Sequence, residues 1–335
     1  MQKLSETLGG KWNDDLAWYA LATMTGAELL GPNTKLYTGA STYSAVTVTT
    51  FNQIWSQWDP SCSGGIWWSR DRNSAGTKDY KSVITNAQMI MLSARLYGMT
   101  NNATYLQAAQ QIYGWLKSSG IVTSGWHIYD GINYSPSGCV LNAAEYSYSY
   151  GILMGGLVLL SKYSNNPIYA SDAAKILDVA LSVFTVNNVI TDICEQNNNC
   201  AVNSISPKGS FIRGLTYYYN NTNDATIKTK IQTAIDASVV SMAQNSCDSN
   251  WGCYNTWQGP NAKVQTDFHS ELNSLQLMNA AVMIHSASNI PGATSNITPP
   301  PTASKQNSAL SLYTGFYGTS LSGCFFAFAI FSTFF

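Results

Sequence analysis

The sequence predicts an all-α protein built from repeated helical hairpins. Three observations lead there: apolar residues recur at helical spacing along most of the chain, strand-type alternation is scarce, and the helical segments recur at a fixed interval. The first segment follows Asn13 and carries Leu16, Ala20, Met24, Ala27 and Leu30 on one face. A second lies near 42–58. Val83, Ala87, Ile90, Ala94 and Tyr97 share a face on the third, and Leu106, Ala109, Tyr113 and Leu116 on the fourth. Five more are expected near 143–163, 168–185, 206–220, 226–245 and 266–287. The odd-numbered helices therefore begin about every 63 residues, the length of one hairpin.

Loop lengths choose between an open solenoid and a closed double ring. The connections after odd-numbered helices are short, as at Ser164-Asn165-Asn166-Pro167. Those leading into them are long and hold Trp67, Trp68, Trp126, Trp251, Trp257 and most of the cysteines. Long loops on one rim and short turns on the other describe an α/α barrel with a functional face.

The composition narrows the ligand. Of 335 residues 45 % are hydrophobic, enough for a large core, while 10 % are charged and the net charge is −1. Nothing there suits nucleic acid. Ten Trp and twenty Tyr suit a neutral polysaccharide, whose C–H faces stack on aromatic rings, although core packing claims many of them.

Cys194/Cys200 and Cys247/Cys253 are close pairs in polar loops that could each close a small disulfide ring. Cys62 and Cys139 would then pair by elimination, although spacing alone leaves connectivity open. With His127, His269 and His285 at no zinc-type spacing, no metal and no cofactor are expected. Sequons at Asn102, Asn133, Asn220 and Asn296 agree with export to an oxidising compartment.

The C-terminal part divides from the barrel. Residues 1–290 are expected to form the barrel domain, 291–309 a Ser/Thr/Pro linker containing Pro299-Pro300-Pro301, and 310–335 an apolar end. The small residues Asn307-Ser308-Ala309, a spacer and the stretch Gly323–Phe335 follow the order of a GPI-attachment signal, with Asn307 as acceptor. Met1-Gln2-Lys3-Leu4-Ser5 lacks the apolar run of a signal peptide, so either further N-terminal sequence is expected or the export reading fails.

Asn13 reads as a helix N-cap, which puts Asp14 and Asp15 in the first turn, on the long-loop rim. Acids there are favoured by the helix dipole, so a plain helix start is one reading. The other is a carboxylate pair for glycoside cleavage, one attacking or activating water, the other donating a proton to the leaving oxygen. Repulsion between them raises one pKa and separates the two roles.

Trp12-Asn13-Asp14-Asp15-Leu16-Ala17-Trp18-Tyr19 with Met24-Thr25-Gly26-Ala27-Glu28 resembles the Asp-Asp signature of glycoside hydrolase family 76, the α-1,6-mannanases, and its fungal GPI-anchored cell-wall members in particular. Further matches follow in order at Cys62–Trp68, Tyr80-Lys81, Thr85-Asn86, Ala94-Arg95-Leu96, Ile128–Gly131, Cys194-Glu195, Cys200 and Lys208-Gly209. The chain departs from the family pattern at Tyr146-Ser147-Tyr148-Ser149 and near Ser270-Glu271.

The resemblance implies an (α/α)6 barrel, lacking its first helices in this sequence, and a retaining double displacement. It makes Asp14 the nucleophile and Asp15 the acid/base, with Trp67, Trp68, Asn86, Tyr129, Asp130 and Tyr148 at the subsites, a loop-stabilising turn being the other reading of Tyr129 and Asp130. The expected partner is α-mannan or a mannosylated glycoprotein or GPI glycan, bound by a monomer held at the plasma membrane or cell wall through a glycolipid. A cell-wall transglycosylase and a non-catalytic mannan-binding protein are the alternatives.

Overall fold

The computed structural model describes residues 11–38, 40–73, 76–200, 208–259 and 268–286. Its helices are α1 (Asn13–Leu30), α2 (Tyr43–Trp55), α3 (Val83–Thr100), α4 (Ala103–Ser118), α5 (Ser147–Ser164), α6 (Ile168–Val183), the single turn α7 (Ile193–Gln196), α8 (Lys208–Asn221), α9 (Ala225–Asn245) and α10 (Phe268–Ser286). Nine fall where the periodicity places them. The ends follow local chemistry. Thr42, Ser82, Asn102 and Asp224 cap α2, α3, α4 and α9 by accepting from backbone amides of the first turn. Asn101 and Asn165 stop α3 and α5 in the left-handed conformation, at φ 54° and 52°. One expected cap is overturned: Trp12 occupies the N-cap of α1, and Asn13 is a fully buried first-turn residue.

Two layers result. α1, α3, α5, α8 and α10 pack in series, each on the next. α2, α4, α6 and α9 lie outside, against α1, α3, α5 and the α8/α10 pair. Burial separates the layers. Every residue of α3 from Val83 to Leu96 is buried, as expected of a helix covered on all sides. α4 buries one face only, through Tyr105, Ala108, Ala109, Ile112, Tyr113, Trp115 and Leu116. α5 and α8 meet through glycines: a Cβ on Gly214 would lie 2.0 Å from the carbonyl oxygen of Gly151.

The long rim loops carry short strands. β1 (Tyr80–Ser82), β2 (Gly131–Ser135) and β3 (Gly138–Asn142) form an antiparallel sheet in that order, and β4 (Thr185–Val186) pairs with β5 (Val189–Ile190). β1, β4 and β5 are two or three residues long, and burial does not alternate along β2 and β3, so no strand pattern shows in the sequence. The short-turn rule holds after α3, α5 and α8 but fails after α1, where the chain runs from residue 31 to 42 before α2. All three cysteine pairs are disulfides: Cys62–Cys139, Cys194–Cys200 and Cys247–Cys253. Among the described residues no helix is long and apolar enough to cross a membrane, and no cluster of His, Cys, Asp or Glu could hold a metal. The linker 291–309, the segment 310–335, Asn296 and the acceptor Asn307 lie outside the described residues.

Candidate active site

The start of α1 is stitched to the strip 67–70. Asn13 N donates to Trp68 O at 2.8 Å, Asn13 Nδ2 to Trp67 O at 2.7 Å, and Arg70 N to Lys11 O at 2.8 Å. Trp12 stacks on Trp68 with ring centroids 4.1 Å apart. Trp68 N donates to Tyr80 O at 2.9 Å, joining the strip to β1. Asn13 therefore acts by clamping this strip beside the two aspartates. From the other side Gln88 Nε2 of α3 donates to Asp14 O at 3.2 Å.

The two carboxyls have different surroundings. Asp14 is half-buried, and its Oδ1 is out of contact with solvent with no hydrogen-bond partner. Burial, then the charge of Asp15, pushes its pKa up to about 7, against a hydrogen bond from the Trp68 side chain. Asp15 is the more exposed residue. Partial burial raises its pKa, and the Arg70 guanidinium pulls it back. The buried, unpartnered oxygen beside a charged neighbour is what a helix-start role leaves unexplained.

α5 and the β-sheet supply the opposite wall. Tyr148, at the start of α5, is kept a neutral phenol by burial and by the charges of Asp130 and Asp14. Its ring stacks on Tyr146, centroids 5.7 Å apart. Asp130 accepts from the Tyr80 hydroxyl and, at 3.2 Å, from Asn142 Nδ2; burial raises its pKa. Trp68, Asp130 and Tyr148 thus gather near the dyad. Tyr129 is half-buried on the adjoining loop, beside Tyr150.

Trp67 and Asn86 occupy a deeper layer. Trp67 is 5 % exposed, with Arg72 at 3.7 Å and Lys81 at 4.4 Å from its ring centre. Asn86 is fully buried; its Oδ1 accepts from Ile66 N at 3.0 Å, and its Nδ2 donates to Ile66 O and Ser82 O. Both support the strip that carries Trp68. Lys81 does the same from beneath: its ammonium donates to the carbonyls of Asp59, Ser61 and Gly64 at 2.8, 2.5 and 2.7 Å. Arg70, Trp12, Tyr80, Asn142 and Lys81 escape sequence reasoning as site residues. Trp12, Tyr80 and Lys81 fall within matched motifs without a role attached, and Arg70 is a cation two residues beyond Trp68 in a chain poor in charge.

The family model for glycosyl hydrolase family 76 matches residues 5–292. The chain belongs to that family. Among its family 76 relatives, mannan endo-1,6-alpha-mannosidase DCW1 of Eremothecium gossypii is 29 % identical over 259 residues, covering 74 % of this chain and 56 % of the relative. Mannan endo-1,6-alpha-mannosidase DFG5 of Saccharomyces cerevisiae is 27 % identical over 250 residues, covering 71 % and 54 %. The chain thus spans about half the length of these curated relatives. In fold it is similar to the GH76A alpha-1,6-mannanase from Salegentibacter sp. HEL1_6, with TM-score 0.71, 19 % identity and 82 % and 77 % of the two chains covered. It is also similar to Dfg5 from Chaetomium thermophilum in complex with glucosamine, with TM-score 0.73, 22 % identity and coverage of 90 % and 76 %. The helical barrel of family 76 is therefore the fold of this chain.

Proposed function

We propose that this protein is an endo-acting α-1,6-mannanase that cleaves mannan with retention of configuration. The observation that carries the reading is the asymmetric aspartate pair: one carboxyl buried with an unpartnered oxygen, its neighbour exposed and facing the charge of Arg70. The relatives named as mannan endo-1,6-alpha-mannosidases support the substrate class. So does an inactive variant of the Salegentibacter enzyme, two consecutive aspartates replaced by asparagine, in complex with alpha-1,6-mannotriose.

In the reaction Asp14 attacks the anomeric carbon while Asp15 gives its proton to the departing glycosidic oxygen. A covalent mannosyl ester forms on Asp14. Asp15, now a carboxylate, takes a proton from water, which attacks the same carbon and frees Asp14. In the empty site burial favours the proton on Asp14, so it must pass to Asp15 as substrate binds. A sugar over Asp15 removes its water and favours its neutral form. Positive charge growing at the anomeric carbon, with the Trp68 hydrogen bond, favours Asp14 as the anion. Asp130 and Tyr148 supply hydroxyl partners, and Trp68 an aromatic face.

Disulfides, sequons and the small-residue run at Asn307 support a protein exported to the cell surface and held there by a glycolipid. Release of the protein from membranes by a phosphatidylinositol-specific phospholipase tests the anchor. Incubation of the full chain with linear α-1,6-mannooligosaccharides, followed by mass analysis, tests the activity. Shorter mannooligosaccharides are expected from the wild type and not from Asp14→Ala; an unchanged substrate in both overturns the reading.

A further inference from the structure

Two long rim loops fold into the same turn. In Thr123-Ser124-Gly125-Trp126-His127, Trp126 N donates to Thr123 O at 3.0 Å, Thr123 N to His127 O at 2.9 Å, and His127 N to Thr123 Oγ1 at 3.0 Å. In Asp248-Ser249-Asn250-Trp251-Gly252, Trp251 N donates to Asp248 O at 3.1 Å, Asp248 N to Gly252 O at 3.0 Å, and Gly252 N to Asp248 Oδ1 at 2.9 Å. Antiparallel bridges flank both, Val122 with Ile128 and Cys247 with Cys253. Each turn holds its tryptophan in the left-handed conformation, at φ 67° and 64°. Glycine or asparagine takes that position at least cost, because a Cβ there crowds the following carbonyl. A bulky aromatic in it needs compensation.

Trp126 has compensation within the fold. Its ring packs on the hydrophobic core, with Lys175 Nζ 4.5 Å and Lys117 Nζ 5.4 Å from its centre. Half the surface of Trp251, 50 %, is exposed, more than for any other tryptophan. Its mount is nonetheless rigid. The Cys247–Cys253 disulfide closes the turn, Asp248 Oδ1 accepts from Asn250 N at 2.8 Å, and Cys253 N donates to Glu271 Oε1 of α10 at 3.1 Å. A strained, stapled turn that presents an indole to water is built for a ligand, and the ring's size and lack of charge define its chemistry.

We infer that Trp251 is a separate sugar-binding platform, stacking on a pyranose ring of a neutral polysaccharide whose scissile bond lies at the aspartate pair. The identity of that polymer as mannan rests on the function proposed above. The platform's place fits the role. Its loop leads into α10, whose Asn273 Oδ1 accepts from Gly209 N at the start of α8; α8 packs on α5, which carries Tyr148 to the dyad. Trp251 therefore stands on the catalytic rim, further round the ring of inner helices, where it engages a long chain and leaves a short one untouched.

Native gels containing soluble α-1,6-mannan test this, with the full chain carrying Asp14→Asn to prevent degradation. Trp251→Ala in that background should weaken retardation about 3- to 10-fold, the worth of one aromatic stacking contact. In the otherwise wild-type chain it should leave turnover of a short aryl mannoside unchanged. Trp251→Gly should lose retardation equally yet melt above Trp251→Ala, because glycine relaxes the turn; Trp126→Gly should melt well below wild type. Retardation indifferent to Trp251 overturns the platform, even where mannooligosaccharides are cleaved. A Trp251→Gly variant as unstable as Trp126→Gly also overturns it, since the ring would then be packing. Retardation by a different neutral polysaccharide, lost in Trp251→Ala, upholds the platform and overturns mannan as its ligand.

Discussion

Asp14 and Asp15 differ by one position in the chain and by much more in environment. A buried carboxyl is harder to ionise, and a guanidinium beside a carboxyl makes ionisation easier. The proposed roles can be separated by stereochemistry. Asp14→Ala removes the nucleophile, so added azide should attack an activated mannoside directly and give an inverted product. Asp15→Ala spares the first step with a good leaving group, so azide should intercept the ester and give a retained product; the opposite pair of outcomes exchanges the roles. Titration makes a second prediction. The raised pKa of Asp14 stabilises the fold fully below the ordinary carboxylate pKa of 3.8, and that stability is lost as pH rises through about 7. Asp14→Asn should therefore gain stability over wild type at pH 8, on the order of 1–3 kcal/mol after discounting for partial exposure, and gain none near pH 3. Equal melting differences at both pH values would refute the burial argument. The dyad itself was legible as two acids at a helix start, whereas Arg70 reaches Asp15 only because its strip pairs with Lys11 and Trp12.

Helix positions were readable to within a few residues, because a 3.6-residue period and asparagine, serine or threonine ends are local signals. The sheet β1–β3 was not, since its pairing joins Tyr80–Ser82 to Gly131–Ser135 across two intervening helices. Nor was the deeper support of Trp68: Lys81 and Asn86 act on carbonyls and amides about 20 residues away in the chain. Close approach of α5 and α8 gives a test at this scale. Gly214→Ala places a methyl against the Gly151 backbone, which cannot rotate away, so the helices must separate. The expected cost is about 1–3 kcal/mol or more, read as a lower denaturation midpoint with an unchanged slope. Gly114, with nothing within 4 Å of an added Cβ, is the matched control, and its Ala variant should be neutral or stabilising.

Across the whole molecule the inner helices form one continuous core while the rim loops depend on staples. The three disulfides should differ in worth. Cys62–Cys139 spans 77 residues and ties the turn at Ser61–Ser63 to β3, whereas the other two span 6 residues each. On chain entropy alone the long bridge contributes about 4.5 kcal/mol and each short one about 2 kcal/mol. Replacing Cys62 and Cys139 by alanine should therefore lower the melting temperature more than the Cys194/Cys200 double variant does. It should also loosen the site, because the bridge holds the loop gripped by Lys81 under Trp67 and Trp68. Equal losses from both variants would show that local packing, not loop closure, sets their worth.

By itself the sequence determined the all-α class, the hairpin interval, the rim that carries most of the long loops and the aspartate pair at a helix start, since each is written in short-range spacing. Tertiary structure alone decided which aspartate is the more buried, which cation faces the other, and which of two similar turns leaves its tryptophan in water. The reason is physical. Spacing is a property of neighbours along the chain, whereas burial, field and strain relief are sums over residues that only folding brings together.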